Sequence, residues 1–209
     1  MTHQKRQFTT IKLPIPRKGT KYVVRASSDP KNSVPVLIAV RDMLHLAKTA
    51  REVKEMIKSK ALKLNGRDVT ELKASIKLFN IFQADKTYRL TILPTNKFHL
   101  EEIKPTDSRL LKVTNKKILP KNQLQINFHD GTNIITKDKM NVNDSVLLSF
   151  DSKIKSHIKP EKGAGVFVFK GKYLGRSGNL QSLKGSKISV KFRNTEGVAE
   201  IPFSHAIVQ

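Results

Sequence analysis

The sequence predicts an α+β protein in which a short helical segment precedes a long succession of β-strands. Three observations carry that prediction. Apolar residues recur at helical spacing only between Val36 and Lys58. Beyond residue 85 no stretch sustains a helical period. That later part instead alternates apolar with polar residues between Asp-Gly and glycine-rich turn signals.

Charge bounds the function. The 209 residues include 40 Lys and Arg against 17 Asp and Glu, a formal charge of +23. So much like charge repels itself in the folded state, and a polyanionic partner, nucleic acid first of all, is the expected remedy. A basic membrane-surface protein would need an amphipathic helix with Trp or Phe on one face, and Trp is absent. The absence of cysteine excludes disulfides, zinc ribbons and thiol catalysis. The opening Met1–Phe8 lacks the apolar core of a signal peptide, and the longest purely apolar run, Val36–Val40, is far too short to span a bilayer. A soluble, cytoplasmic protein is expected, with no membrane partner.

In chain order, residues 1–35 read as a basic arm. Arg17, Lys18, Lys21 and Arg25 are interspersed with Pro14, Pro16, Pro30 and Pro35, a composition that builds no core of its own. The expectation is an extension ordered by phosphate contacts in a groove of folded RNA. Tyr22-Val23-Val24 reads either as a short edge strand or as a place where Tyr22 stacks on a base.

Residues 36–85 read as two helices and a hairpin. Pro35 suits a first helical turn. Leu37, Val40 and Leu44 make the first apolar face, which Ile38, Ala39 and Met43 widen until little is left exposed. Arg41 is the cation of this helix. Thr49, three residues before Glu52, opens the second helix as a capping box, and the backbone donors at that helix start are also expected to meet an RNA phosphate. Ala50, Val53 and Ile57 form its buried stripe, so Arg51, Lys54 and Lys58 face outward as a basic ridge. Asn65-Gly66 supplies the positive φ angles of a tight hairpin, which adds Lys63 and Arg67 to the same neighbourhood. Leu78–Phe82 and Tyr88–Leu93 read as strands joined at Asp85-Lys86.

Residues 86–160 read as a central β domain. Leu110–Val113 is one strand. Leu124, Ile126 and Phe128 alternate strictly, turn at Asp130-Gly131 and are answered by Asn133–Thr136. Ser145–Phe150 follows the polar turn at 141–144. Residues 161–209 are again β, with strands expected at 166–169, 179–183 and 187–192. Ile188, Val190 and Phe192 share one face there, with Lys187, Ser189, Lys191 and Arg193 on the other, as in a small barrel with a basic outer face.

The helix, the Thr-Ala-Arg-Glu-Val helix and the Asn-Gly hairpin resemble the small α/β "S-four" (αL-like) RNA-binding module. The segment from Glu161 to Leu180, with Gly171, Gly175 and Gly178 around Lys172 and Arg176, is similar to a KOW motif, an element of SH3-like small barrels. Gln125–Ile134, Val142–Leu148 and Lys153–Ile158 are similar to the central domain of the archaeal and eukaryotic small-subunit ribosomal protein four family, the S-four-e type. Pro16–Arg25 and the order of modules agree, so the resemblance runs from about Pro14 to Val208.

The resemblance implies a non-catalytic structural constituent of the small ribosomal subunit. Such a protein binds small-subunit ribosomal RNA and neighbouring small-subunit ribosomal proteins, with no cofactor and no small-molecule substrate. The KOW-like segment leaves a second reading, a non-ribosomal RNA-binding factor in transcription elongation or translation control.

Catalytic constellations are weak by comparison. His129-Asp130 lacks further ligands at metal spacing, and its turn role suffices. Gly163-Ala164-Gly165 begins a dinucleotide fingerprint, but Val168 stands where the third glycine belongs. Glu101-Glu102, adjacent in a strand, point to opposite faces and make no acid–base pair.

Overall fold

The computed structural model describes residues 3–120, 123–192 and 197–209. The chain divides into two compact units, Met1–Asp107 and Ser108–Gln209. Strands dominate both, and among the described residues no helix is long and apolar enough to cross a membrane.

In the first unit, β1 (His3–Lys5) pairs antiparallel with β2 (Tyr22–Val24), and β3 (Ser33–Pro35) later pairs with β6 (Ser75–Lys77). The first 35 residues therefore depart from an arm that waits for phosphates. Arg6 closes the loop between β1 and β2 by donating to the Pro16 carbonyl at 2.7 Å and to the Thr20 carbonyl at 2.7 Å. Leu13 is 2% exposed, Lys97 Nζ donates to the Ile11 carbonyl at 2.6 Å, and the Phe98 amide donates to the Lys12 carbonyl. The arm lacks a core of its own, so it borrows one, burying Leu13, Val23, Ala26 and Val34 and satisfying the Ile11 and Lys12 carbonyls from Lys97 and Phe98.

The first helix starts at Val36, not at Pro35, which is the extended last residue of β3 (ψ 142°). One α turn, α1 (Val36–Ile38), widens into a π-helical segment over Ala39–Met43. Val36–Val40 are all buried, as a segment apolar on every side should be. Its orphan donors are satisfied from outside, Val36 N–H by the Ala74 carbonyl and Leu37 N–H by the Leu72 carbonyl. In α2 (Ala50–Lys58), Val53 is fully buried and Met56 and Ile57 are half-buried. Ala50 is exposed, so the stripe keeps Val53 and Ile57 as the sequence suggests but gains Met56 in place of Ala50.

The hairpin of β4 (Lys63–Leu64) and β5 (Arg67–Asp68) turns through Asn65 (φ 51°) and Gly66 (φ 79°). It forms one end of a five-stranded antiparallel sheet, ordered β5-β4-β7-β8-β9, with β7 (Ile81–Gln83), β8 (Thr87–Ile92) and β9 (Phe98–Glu102). The expected strand from Leu78 starts only at Ile81, because Phe79 takes a positive φ of 61°. The turn falls at Ala84–Lys86, but β7 and β8 pair directly across it, so the sheet continues through the expected boundary at residue 85. The division between compact units falls at 107/108 instead.

Among the described residues, the regular elements of the second unit are strands apart from one 3-10 turn, Phe203–His205. β10 (Ser108–Leu119) is twelve residues long and serves two ladders. Ser108–Lys112 pair with β13 (Ser145–Ser149), and Val113–Leu119 pair with β11 (Gln123–Phe128), with a bulge between Val113 and Asn115. With β12 (Asn133–Thr136) and β14 (Ile154–Ile158), the sheet is ordered β12-β11-β10-β13-β14. Leu111, Val113, Ile126, Phe128, Met140, Val146 and Leu148 fill its core.

The second sheet of this unit comprises β15 (Gly165–Val168), β16 (Ser177–Lys184), β17 (Lys187–Phe192), β18 (Val198–Pro202) and β19 (Ala206–Val208), ordered β18-β17-β16-β15-β19. Ile188, Val190 and Phe192 face its core as their alternation requires, but Ser189, assigned to the outer face, is 6% exposed. Arg193 lies outside the described residues. Gly178 packs without a side chain because a Cβ there would stand 2.5 Å from the Lys191 carbonyl oxygen of the paired strand. Lys112 joins the two sheets. It is 2% exposed, and its Nζ donates to the Phe203 and Ala206 carbonyls beside the Phe203 ring, 5.0 Å from the ring centroid.

Candidate nucleic-acid interface

The most regular cationic surface of the first unit lies on α2. Thr49 sits extended at its N-cap (φ −123°), its hydroxyl accepting from the Glu52 amide at 3.3 Å. Glu52 reciprocates through the Lys48 amide at 2.8 Å. That amide, and then the Thr49 hydroxyl, hold the Glu52 carboxyl below its ordinary pKa. Thr49 is thus occupied by its own cap, and the helix start is satisfied internally.

The cap sets the helical phase that turns Arg51, Lys54 and Lys58 outward; all are exposed. Positions three and four apart place them along one face. Lys58 is drawn to Glu55 at 3.1 Å, an exposed pair that solvent weakens, which leaves Arg51 and Lys54 as the centre of the ridge. Arg41 lies on the preceding helical segment, half-buried, with a bidentate grip on Asp42 at 2.8 and 3.1 Å. Its charge is largely spent within the fold.

The hairpin corrects one expectation. Register pairs Lys63 with Asp68 and Leu64 with Arg67. Directly paired residues share a face and neighbours alternate, so Lys63 and Arg67 point to opposite sides of the hairpin. Both are exposed, but they do not extend one patch.

On the arm, Arg17 and Lys18 lie at the exposed tip of the loop that Arg6 closes. Lys21 sits over the Tyr22 ring at 5.5 Å, and Arg25 is exposed beyond β2. In the second unit, Lys172 and Arg176 are exposed in the connection between β15 and β16. Gly171 (φ 84°) and Gly175 (φ 75°) turn that connection, while Gly178 serves strand contact rather than turning. Lys172 covers the Tyr173 ring at 5.8 Å, and Tyr173 in turn stacks on Phe192 at 5.0 Å, so the loop is anchored to the core beneath it.

Further cations were not singled out from the sequence. Lys117, Lys137 and Lys139 are exposed on and beside the β10–β12 ribbon, and Lys184 is exposed on β16, next to the Lys187 and Lys191 that the β17 alternation places outward. The signal that finds them is polar alternation once strand register is known. Other charged groups prove structural. Asp130 accepts from the Thr132 amide at 2.8 Å and pairs with Arg109 at 3.0 Å, while His129 Nδ1 accepts from the Lys112 amide. Glu101 and Glu102 pair across the sheet with Arg89 and Lys86, both at 2.9 Å. These contacts leave the acidic residues neutralising neighbours within the fold rather than forming a proton-transfer site.

Comparison with known proteins agrees with this picture of a basic, non-catalytic surface. The model of "Ribosomal family S4e" matches residues 84–154. "Small ribosomal subunit protein eS4" of Archaeoglobus fulgidus is 34% identical over 188 residues, covering 87% of this chain and 80% of that one. Its counterpart from Methanocaldococcus jannaschii is 31% identical, covering 83% and 78%. The crystal structure of the 30S ribosomal protein S4e from Thermoplasma acidophilum superposes with a TM-score of 0.71 at 27% identity, covering 85% of this chain and 95% of that one. With identity above 30% carried over four-fifths of a relative, and the same fold in a solved member, the chain belongs to the ribosomal family S4e.

Proposed function

We propose that this chain is a structural, non-enzymatic constituent of the small ribosomal subunit, resident in the cytoplasm. It binds small-subunit ribosomal RNA directly and stabilises its fold among neighbouring ribosomal proteins. The observation that carries this reading is membership of a family whose curated relatives are small-subunit proteins, joined to a charge of +23 with exposed cations in both units. Each phosphate contact releases condensed counterions, and many weak contacts together lock adjacent RNA segments into one arrangement.

Within that role, residues 36–85 with the sheet they enter act as an S-four RNA-binding module. Arg51 and Lys54 make its principal phosphate contacts, supported by Lys58, Lys63 and Arg67. The strands from Ser108 to Ile158 act as the central domain. The segment from 161 onward acts as an SH3-like KOW barrel whose loop presents Lys172 and Arg176. Arg17, Lys18, Lys21 and Arg25 supply the arm's contacts. A-form RNA hides its base edges in a deep groove, so these cations read shape more than sequence.

Sedimentation of a native lysate at moderate and then high salt tests the reading. One copy per small subunit, retained at high salt, is the expected result. Protein remaining at the top of the gradient at moderate salt overturns it and favours a free RNA-binding factor, the role suggested by the KOW-like segment.

A further inference from the structure

The ribbon of β1 and β2 carries an arrangement that a phosphate-binding role leaves unexplained. Lys5 pairs directly with Tyr22, so both side chains rise from the same face. His3, diagonal to Tyr22 across the ribbon, packs against its ring at 4.9 Å with planes 74° apart, and Lys21 Nζ lies 5.5 Å from the ring centroid. The ring is thereby held in one orientation, yet it remains 48% exposed.

Phe8, in the 3-10 turn after β1, is 71% exposed and lines the same depression as Tyr22, together with Lys12, Arg25 and Lys31. One carboxylate borders it, Asp29, and that is engaged by the Asn32 amide at 3.1 Å. Two aromatic rings left in water among an excess of cations match the chemistry of an unstacked nucleotide. The rings take the base face, and the cations take the flanking phosphates. A duplex, whose base faces are covered, would gain nothing from the rings. A purely apolar partner would gain nothing from Arg25 and Lys31.

We propose that the depression beside Tyr22 is a binding site for a single-stranded, splayed-out RNA nucleotide, with Tyr22 as its stacking platform and Arg25 and Lys31 on the adjoining phosphates. The proposal rests on the RNA-binding reading given above, but not on residence in the ribosome.

The test titrates the full chain into a single-stranded RNA carrying 2-aminopurine at one position, and into the same strand annealed in a duplex. Stacking quenches the probe. Quenching is expected with the wild type and with Tyr22→Phe, in the single strand and not in the duplex. Tyr22→Leu is expected to abolish it and to weaken single-strand binding on the order of tenfold. The thermal melt of each variant, followed by circular dichroism, checks that the ribbon still folds; should Tyr22→Leu unfold, Phe8→Leu with Arg25→Gln is read in its place.

Wild-type quenching retained in Tyr22→Leu, or equal quenching in the duplex, overturns the site and leaves the ribosomal reading standing. Displacement of the RNA by an equimolar polyglutamate peptide also overturns it, in favour of an acidic protein partner. Failure of the wild type to bind any RNA would remove both readings together.

Discussion

The two units carry almost the same charge and use it differently. Residues 1–107 hold 22 Lys and Arg against 10 Asp and Glu, and residues 108–209 hold 18 against 7. In the first unit the helix ridge and the arm tip keep their cations at the surface, and the polar residues that are buried, Ser33, Asn80 and Thr87, are uncharged beside an apolar interior that includes Val36–Val40, Val53 and Leu62. In the second unit a lysine lies in the interior, holding the carbonyls of Phe203 and Ala206, while Ser145 Oγ accepts from the Val208 amide at 3.1 Å. Equal net charge therefore conceals two uses of a cation. One attracts a polyanion; the other satisfies backbone acceptors that would otherwise be stranded where two sheets meet.

On this distinction, removing the buried cation should have the largest effect. Lys112→Met keeps the aliphatic stem but removes the donor from two buried carbonyls. The expected cost is about 3 kcal/mol, seen as a lowered urea midpoint and as faster amide exchange confined to residues 108–209. The same variant carries a pH signature. Burial, and secondarily the charge of Lys170, lowers the Lys112 ammonium to about 7 from an ordinary 10.5. Between those values the unfolded chain binds a proton that the folded chain lacks, so the wild type gains stability as pH rises from 7 towards 10.5. Lys112→Met should lose that contribution. An unchanged slope in the variant would assign the dependence to other groups.

Gly178→Ala should come next, at about 2 kcal/mol, because the added methyl meets the Lys191 carbonyl of a paired strand and the backbone has to shift. Thr49→Ala sharpens the other side of the comparison. Loss of the cap should cost about 1 kcal/mol and loosen α2 without touching residues 108–209, as amide exchange would report.

The smallest stability effect belongs to the surface ridge. Arg51→Glu with Lys54→Glu should change unfolding by less than about 0.5 kcal/mol. It should nevertheless lower RNA affinity and reduce the salt slope by roughly one for each phosphate that is no longer neutralised. A salt slope equal to that of the wild type would remove the ridge from the interface.

Legibility in the sequence followed the range of the interactions involved. The capping box, the Asn-Gly hairpin and the Leu124–Phe128 alternation are specified by residues within a few positions of one another, and the elements stand where those signals put them. The outer half of β10 escaped because Thr114–Leu119 is mostly polar and carries no apolar alternation; its pairing with β11 makes it a strand. β14, β18 and β19 are short segments whose partners lie in other strands, and β1 depends on β2 across a loop. Among the candidate cations, exposure of Arg51, Lys54 and Lys58 was readable from helical phase. The splitting of Lys63 from Arg67 needed the register, and the capture of Arg41 by Asp42 needed the side-chain geometry.

By itself, then, the sequence determined the α+β class, the basic character and the local elements, because charge and periodicity are properties of neighbouring residues. Only the tertiary structure decided that the basic arm is fastened down by Arg6 and Leu13. It also decided that the first sheet runs past residue 85, and that Lys112 is buried to tie two sheets together. Those outcomes depend on which distant carbonyl meets which donor, and that pairing is created by the fold.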